Sequence, residues 1–292
     1  MRLTSLFLIL PVLFWGMSYI SIKMVLRELE PVEMISARFL MAAPVLYLII
    51  RAKGLSVWPV AKKGKLAIAA FIVFLHFWIM ATGMKETSAS NTAWILTTAP
   101  IFIAVLAWFY LKEVFKGSQW LGLFLAAVGV VVLTANGSLD NLAWVNSRGD
   151  WIVLTSCVTW AIYTVVTRDI TTKVHPLTAT FWMTAAAGAV FVPYSLVASG
   201  PSVYLAMKPI TWLNLTFLGV LCLAVSFWLW AEGLKRQTAA EVGVYLYIEP
   251  MFTMIFAWLL LGEPITVWLL LGALLISAGV YVSERKSRPA TA

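Results

Sequence analysis

The chain is built from uninterrupted apolar runs, and these runs limit the folds that it can adopt. A lipid bilayer offers no water to the backbone, so a segment that crosses it must be an α-helix or part of a closed barrel. The runs are each about 20 residues long, enough for a helix to cross the ~30 Å hydrocarbon core. They do not alternate in polarity as barrel strands do. The sequence therefore predicts an all-α integral membrane protein.

Composition and charge agree with a membrane class. Hydrophobic residues make up 62% of the 292 residues and charged residues 12%, about half the charge of a typical soluble domain. The net charge of +8 does not predict a nucleic-acid partner, because the basic residues fall in short loops between apolar runs. The expected partners are the lipid bilayer and a small-molecule substrate. No cofactor is expected.

Ten transmembrane helices are predicted, separated by Gly, Pro or Asn-Gly. Lys and Arg are several times more frequent in the loops on the N-terminal side than in those on the other side. This bias predicts that both termini are cytoplasmic. The predicted spans are 3–26, 31–50, 65–84, 88–111, 118–136, 150–168, 176–199, 210–232, 238–261 and 264–283.

The two halves of the sequence repeat each other. A shift of 150 residues superposes residues 76–136 on 226–286 without a gap, and a shift of 145 residues applies nearer the start of each half. The matched pairs include Trp15 with Trp160, Phe77-Trp78 with Phe227-Trp228, Pro100 with Pro250, Trp108 with Trp258, Glu113 with Glu263, Gly122 with Gly272 and Gly129 with Gly279.

The repeat defines two predicted domains, residues 1–137 and 148–286. Each contains five spans, and because five is odd the second half must be inverted relative to the first. Two inverted five-helix repeats are typical of secondary transporters, which bind substrate near the bilayer midplane at the interface of the repeats.

Several short motifs occur in order along the chain: Trp15-Gly16, Arg38-Phe39-Leu40, Leu111-Lys112-Glu113, Glu249-Pro250 and Leu261-Gly262-Glu263. Together they resemble the EamA family of the drug/metabolite transporter superfamily, and the resemblance covers essentially the whole chain. It implies a carrier of the cell inner membrane, often an exporter of amino acids, related metabolites or drugs. It also implies a cavity lined by spans 1, 3, 4, 6, 8 and 9, with spans 5 and 10 at the periphery.

Glu249 is the leading candidate for substrate binding or proton coupling. An ionisable residue deep in a span costs roughly 2.5–3.5 kcal/mol on insertion scales unless it is neutralised. Glu249 lies about 15 Å into span 9 at 1.5 Å per residue, directly before Pro250. Tyr245, four residues earlier, is predicted to share its face, so that a carboxylate and an aromatic ring would suit an ammonium group. The alternative is a structural, protonated or hydrogen-bonded Glu.

His76 lies at a similar depth in span 3 and is a second candidate for substrate binding or coupling. Its alternative is a satisfied core histidine. With two histidines and no ligand cluster, no metal site is expected. Further substrate-binding candidates have helix packing or interhelical hydrogen bonding as their alternatives. They are Trp15, Trp78, Asn91, Trp94, Thr98, Trp160, Tyr163 and Trp228.

Two further features are interpreted as structural. Arg38 in span 2 is expected to reach outward or to pair with Glu33 or Glu30. Glycines in spans 5 and 10 are expected to let those helices pack closely, either within the molecule or in a homodimer.

The preferred function is a secondary transporter in which the two halves rock about a midplane site. Its substrate is an amino acid or a related amphiphilic or aromatic compound, and export is the expected direction. The alternative is a carrier for a cationic or quaternary amine or drug; a non-transporting scaffold or receptor is less favoured. An enzyme is disfavoured because no nucleophile with a base, or metal cluster, is apparent.

Overall fold

The computed structural model of the chain describes residues 3–59, 61–135, 137–138, 147–261 and 266–284. All regular structure in these ranges is helical, as predicted. Nine of the described helical segments are long and apolar enough to cross a membrane, and Val267–Ser283 is a shorter apolar helix. Spans 1 to 10 are Leu3–Val25, Pro31–Ala52, Lys63–Glu86, 89–111, Gly117–Ala135, Arg148–Thr171, Pro176–Ser199, Pro209–Arg236, 239–261 and Val267–Glu284.

Local signals fix where several spans begin. Pro31 and Pro176 start spans 2 and 7, positions where the missing N–H of proline would have no helical partner. Spans 6 and 9 begin with capping boxes at Ser147 and Thr238. These caps satisfy the free N–H groups at the helix ends before the chain enters the apolar layer.

Spans from opposite halves pack against each other. Span 5 packs on span 10, span 2 on span 7, span 3 on span 6 and span 1 on span 8. Exchanging each span with the one five places later converts this set of pairs into itself, as a two-fold relation requires. The helices of the two halves are therefore interleaved rather than separated.

Glycines bring spans 5 and 10 into backbone contact. A Cβ added to Gly122 would lie 2.6 Å from the carbonyl oxygen of Gly279, and one added to Gly129 would lie 2.9 Å from that of Gly272. The pairing of 122 with 279 and of 129 with 272 makes the two helices antiparallel, so equivalent spans run in opposite directions. The glycines are thus used within the molecule, and the homodimer through these spans remains a prediction.

Spans 4 and 9 are both interrupted near their middle. Span 4 changes from Ala89–Leu96 to Ala99–Leu106 across a turn, and span 9 contains a 3-10 segment, Val244–Ile248, before Glu249–Leu261. In each case a proline, Pro100 or Pro250, is the second residue of the new helix, where its missing N–H is tolerated. Glu249 is the first residue of its half-helix and therefore sits at the break.

Candidate functional site

A central cavity lies at the level of these two breaks, between spans 1, 2, 3, 4, 6, 8 and 9. Water-sized spheres can enter about 60 Å³ of it, room for roughly four to six waters at ~10–15 Å³ each. Span 1 contributes Trp15, Ser18, Tyr19 and Ile22, which follow the i, i+3, i+4, i+7 spacing of one helix face. The predicted residues Trp15, His76, Trp160 and Glu249 all line the cavity.

The apolar lining follows the internal two-fold relation. Equivalent residues from the two halves face the same space, which places the cavity on the axis that relates the repeats. The pairs are Trp15 with Trp160, Phe77 with Phe227, and Leu96 with Leu246.

The polar lining breaks that symmetry. The position equivalent to Glu249 is Ala99. The position equivalent to His76 is Ser226, and a shift of 145 residues pairs Tyr19 with Thr164. The frame of the cavity is therefore duplicated, whereas its charged and hydrogen-bonding groups are unique to one half or the other.

Glu249 is held by span 1. Its carboxylate accepts a hydrogen bond from the Tyr19 hydroxyl, and the residue is 7% exposed. The two helices approach closely at Gly16, where an added Cβ would lie 2.9 Å from the carbonyl oxygen of Glu249 and 3.0 Å from Cβ of Phe252. The Thr253 hydroxyl donates to the Gly16 carbonyl at 3.0 Å, so the carboxylate is positioned by backbone contact as well as by Tyr19.

His76 is bound to span 6 rather than to Glu249. Its Nδ1 lies 3.2 Å from the Ser156 carbonyl oxygen and 3.2 Å from the Thr159 hydroxyl. A carbonyl oxygen only accepts, so Nδ1–H donates to it and Nε2 is left as the acceptor of the neutral ring. The ring also packs 5.2 Å from that of Trp160. His76 thus presents a polar edge to the cavity.

An aromatic cluster extends from the cavity toward the side where span 1 begins. Trp160 packs against Trp15 at 5.2 Å, Tyr163 at 5.2 Å, Phe227 at 5.4 Å and Trp230 at 5.8 Å between ring centroids. Tyr163, a predicted site residue, is fully buried in this cluster and is separated from the cavity by its neighbours. Tyr163 and Trp230 lie further along spans 6 and 8 than Trp160 and Phe227, and both are buried.

Three predicted tryptophans lie outside the cavity lining because of helical geometry. At 100° per residue, Trp78 points about 200° away from His76; it is 37% exposed and packs on Phe74 and Phe191. Trp94 likewise points about 200° away from Leu96, a residue two positions later that lines the cavity. Trp228 is turned about 100° from Phe227 and its indole N–H donates to Glu232 at 3.4 Å.

The sequence predicted that Tyr245 shares the face of Glu249, but in the structure it does not. Four residues return to one face only in an α-helix; in the 3-10 segment three residues make a turn. Leu246 therefore lines the cavity with Glu249, and Tyr245 is buried in the core.

Asn91 and Thr98 also lie away from the cavity lining. The Asn91 amide donates to Asp150 at 3.1 Å near the start of span 6. The Thr98 hydroxyl donates to the Ile95 carbonyl at 2.8 Å, within its own span. Both make structural hydrogen bonds here.

Arg38 lines the cavity, which corrects the expectation that it reaches outward. Glu33 receives the backbone N–H of Glu30 in a capping box, and Glu30 pairs with Lys85. Glu33 sits five residues before Arg38, about 140° away around the helix, so neither acid is available to it. The Arg38 side chain is 3% exposed and its guanidinium carbon lies 4.6 Å from the Phe77 ring centroid.

Ion pairs join the ends of spans on the side where span 1 begins. Lys62 and Lys65 contact Asp169 at 3.0 and 2.7 Å. Glu113 accepts the Ala239 N–H at 3.0 Å, and burial raises the pKa of this carboxyl above its ordinary value. These contacts tie spans 3, 4, 6 and 9 together below the aromatic cluster.

In the described part of the chain no three His, Cys, Asp or Glu side chains are grouped as metal ligands. Cys157 and Cys222 are buried free thiols. The site therefore consists of aromatic rings, a carboxylate, a guanidinium and an imidazole around a small cavity.

In the ranges that the structure describes, ten helical spans interleave around a central cavity of mixed polarity, the arrangement of a multi-pass membrane protein. The model of the EamA-like transporter family matches residues 2–135 and 147–284, and the chain belongs to this family. The family is one of transporters rather than enzymes.

Known proteins similar to the chain agree. An uncharacterized transporter of Archaeoglobus fulgidus is 29% identical over 97% of this chain and 98% of its own length. Uncharacterized transporter YyaM of Bacillus subtilis is 29% identical over 93% and 90%. A chloroplastic WAT1-related protein of Arabidopsis thaliana is 26% identical over 94% and 68%. A crystal structure with 18% identity and a TM-score of 0.78 covers 96% of both chains, which shows the shared fold.

Proposed function

We propose that the chain carries an amino acid, or a related amphiphilic or aromatic compound, across the membrane by alternating access, with the central cavity as the substrate site. The observation that supports this most directly is Glu249, a buried carboxylate that faces the cavity beside Trp15 and Trp160. A carboxylate next to aromatic rings is suited to an ammonium group, through charge and through cation–π attraction.

A buried carboxylate in a membrane must be neutralised. The Tyr19 hydroxyl supplies one hydrogen bond but no charge. Arg38 lines the same cavity, but no ion pair among the described residues joins it to Glu249. The proposed neutralising partner is either the substrate ammonium or a proton that is exchanged during transport, and His76 is the second group in the cavity that can take up a proton. Both roles require that the cavity open in turn to each side of the membrane.

The direction of transport is proposed to be export, across the cell inner membrane and with both chain termini in the cytoplasm. The support for this orientation is the excess of Lys and Arg in the loops on the N-terminal side. The support for export is the family resemblance.

Glu249→Gln tests the proposal because it keeps the shape of the side chain and removes the charge. Purified protein is reconstituted in liposomes, and uptake and efflux of amino acids and amphiphilic amines are measured with and without a pH gradient. If Glu249 binds the substrate ammonium, affinity falls by about tenfold or more at every pH, since a hydrogen bond to a charged group contributes about 1.5–3 kcal/mol. If Glu249 carries the coupling proton, exchange persists and gradient-driven accumulation is lost.

Matched variants control for general damage. Glu86→Gln removes a carboxylate at the rim, where the nearest charged nitrogen of Arg148 is 3.8 Å away, and should transport normally. Trp160→Phe alters the cavity wall and should change affinity, whereas Trp78→Phe lies outside it and should not. Normal transport with unchanged pH dependence in Glu249→Gln would remove the carboxylate from the mechanism.

A further inference from the structure

The guanidinium of Arg38 is buried in the cavity without a protein anion. The side chain is 3% exposed, and Nε and Nη1 are buried with no hydrogen-bond partner. Within the described residues, none of the ion pairs includes Arg38. Arginine stays charged in proteins, so this charge needs a partner that the described residues do not provide.

The Phe77 ring satisfies only part of that requirement. It lies 4.6 Å from the guanidinium carbon and attracts the cation through its face. The N–H groups of the guanidinium lie in its plane and point outward from its edge. A ring stacked on the guanidinium face cannot accept hydrogen bonds from them. An oxygen acceptor is still missing at that edge.

The backbone holds Arg38 where it is. Span 2 passes close to span 8 at Gly219, where an added Cβ would lie 3.3 Å from the Arg38 carbonyl oxygen and 3.1 Å from Cβ of Met41. This close approach fixes the backbone at Arg38 against span 8. Because the residue is 3% exposed and lines the cavity, a partner would reach its side chain through the cavity.

The other charged group of the cavity is not that partner. Glu249 lines the same space, but its carboxylate hydrogen-bonds to Tyr19 and makes no ion pair with Arg38. A cation and an anion that share a small cavity without touching can be bridged by one molecule that carries both opposite charges. The guanidinium fork matches a carboxylate in a bidentate geometry.

We propose that Arg38 binds the carboxylate of the substrate while Glu249 receives its ammonium group. Arg38 is then the residue that distinguishes an amino acid from the corresponding amine. This inference rests on the proposed function, because it takes the central cavity as the substrate site. It assigns span 2 a direct role in substrate selection.

The experiment compares three amino acids with the amines that lack only the carboxylate. The probes are L-tryptophan, L-phenylalanine and L-leucine, with tryptamine, phenethylamine and isoamylamine. Binding is measured by thermal stabilisation of the purified protein and transport by exchange in proteoliposomes. The wild-type protein is expected to prefer at least one amino acid over its amine by about tenfold or more, the usual effect of a charge-assisted hydrogen bond.

Variants then assign the preference to Arg38. Arg38→Gln should weaken binding of the amino acid by about tenfold or more and change the affinity for the amine by less than about threefold, so that the preference for the amino acid is lost. Arg38→Lys should recover part of it, since it restores the charge but not the fork. Arg51→Gln, which removes an exposed arginine of the same span, should retain the wild-type preference.

The results that overturn the inference are distinct from those that overturn the proposed function. Equal weakening of amino acid and amine in Arg38→Gln, or no change in either, shows that Arg38 is structural. If Arg38→Gln does not fold, the wild-type comparison decides: no preference for any amino acid over its amine refutes the carboxylate contact. If none of the six probes binds, or if Glu249→Gln and Trp160→Phe leave transport unchanged, the proposed site itself is wrong.

Discussion

Gly16→Ala tests whether the contact between spans 1 and 9 positions the site. The added Cβ would lie 3.0 Å from Cβ of Phe252 and 2.9 Å from the Glu249 carbonyl oxygen. Carbon atoms pack best at about 3.5–4.0 Å, so the helices must separate by roughly 0.5–1 Å. Neither neighbour is the flexible end of a side chain, and overpacking of this kind typically costs about 1–3 kcal/mol.

The control is Gly64→Ala in span 3, where an added Cβ meets nothing within 4 Å. Gly16 lies inside its helix and gains about 1 kcal/mol of helix propensity on substitution by Ala, whereas Gly64 lies in the first turn of its helix and gains less. A lower stability of Gly16→Ala than of Gly64→Ala is therefore due to the contact. Each kcal/mol corresponds to roughly 2–4 °C in Tm for domains of 150–250 residues, and a gap of about 3 °C or more is expected.

Function should follow the same geometry. Tyr19 lies one turn beyond Gly16, and a shift of span 1 lengthens its hydrogen bond to Glu249. Transport by Gly16→Ala in proteoliposomes is therefore expected to fall below that of Gly64→Ala. Equal Tm values and equal transport rates for the two variants would refute the argument that backbone contact at Gly16 positions the carboxylate.

Two further predictions concern orientation and closure. Cysteines introduced at Lys63 and Arg148, both exposed at opposite ends of the bundle, should react with a membrane-impermeant thiol reagent from the cytoplasmic and the outer side, respectively; the reverse labelling would exclude the proposed topology. Asp169→Asn removes the carboxylate shared by Lys62 and Lys65, and such partly exposed ion pairs contribute up to about 1 kcal/mol each. The substitution should increase labelling, from the cytoplasmic side, of a cysteine placed at Trp230. Unchanged labelling would show that these ion pairs do not hold that side of the protein closed.

The fold was predictable because the bilayer restricts the choice so strongly. Apolar run length identifies the helices, and the repeat that matches Pro100 with Pro250 indicates both the doubling and the two equivalent breaks. Glu249 and His76 could be identified from depth alone, since a polar group in a span is costly. Both line the cavity.

The rest depended on rotation about each helix axis, which composition does not define. Trp78 was predicted to line the cavity because of its depth in span 3. Because it is two residues from His76, which faces the cavity, its side chain points away from the cavity. Tyr245 was misplaced because the 3-10 segment changes the angle per residue. Tyr19 could have been found from the helical spacing that starts at Trp15. The position of Arg38 in the cavity could not, because the sequence does not show that its nearby acids bind elsewhere.

Because spans 5 and 10 come from different repeats and pack together, the unit that is repeated in the sequence need not be the unit that moves. The two helices come from different repeats, yet their backbones approach closely at Gly122 and Gly279. A rigid displacement of one repeat against the other would have to shear this contact and every other cross-repeat pair. Under the proposed alternating access, moving bodies that keep these contacts would each combine helices from both repeats, which differs from the rocking of the two repeats expected from the sequence. Ancestry and mechanics would then divide the described helices along different lines.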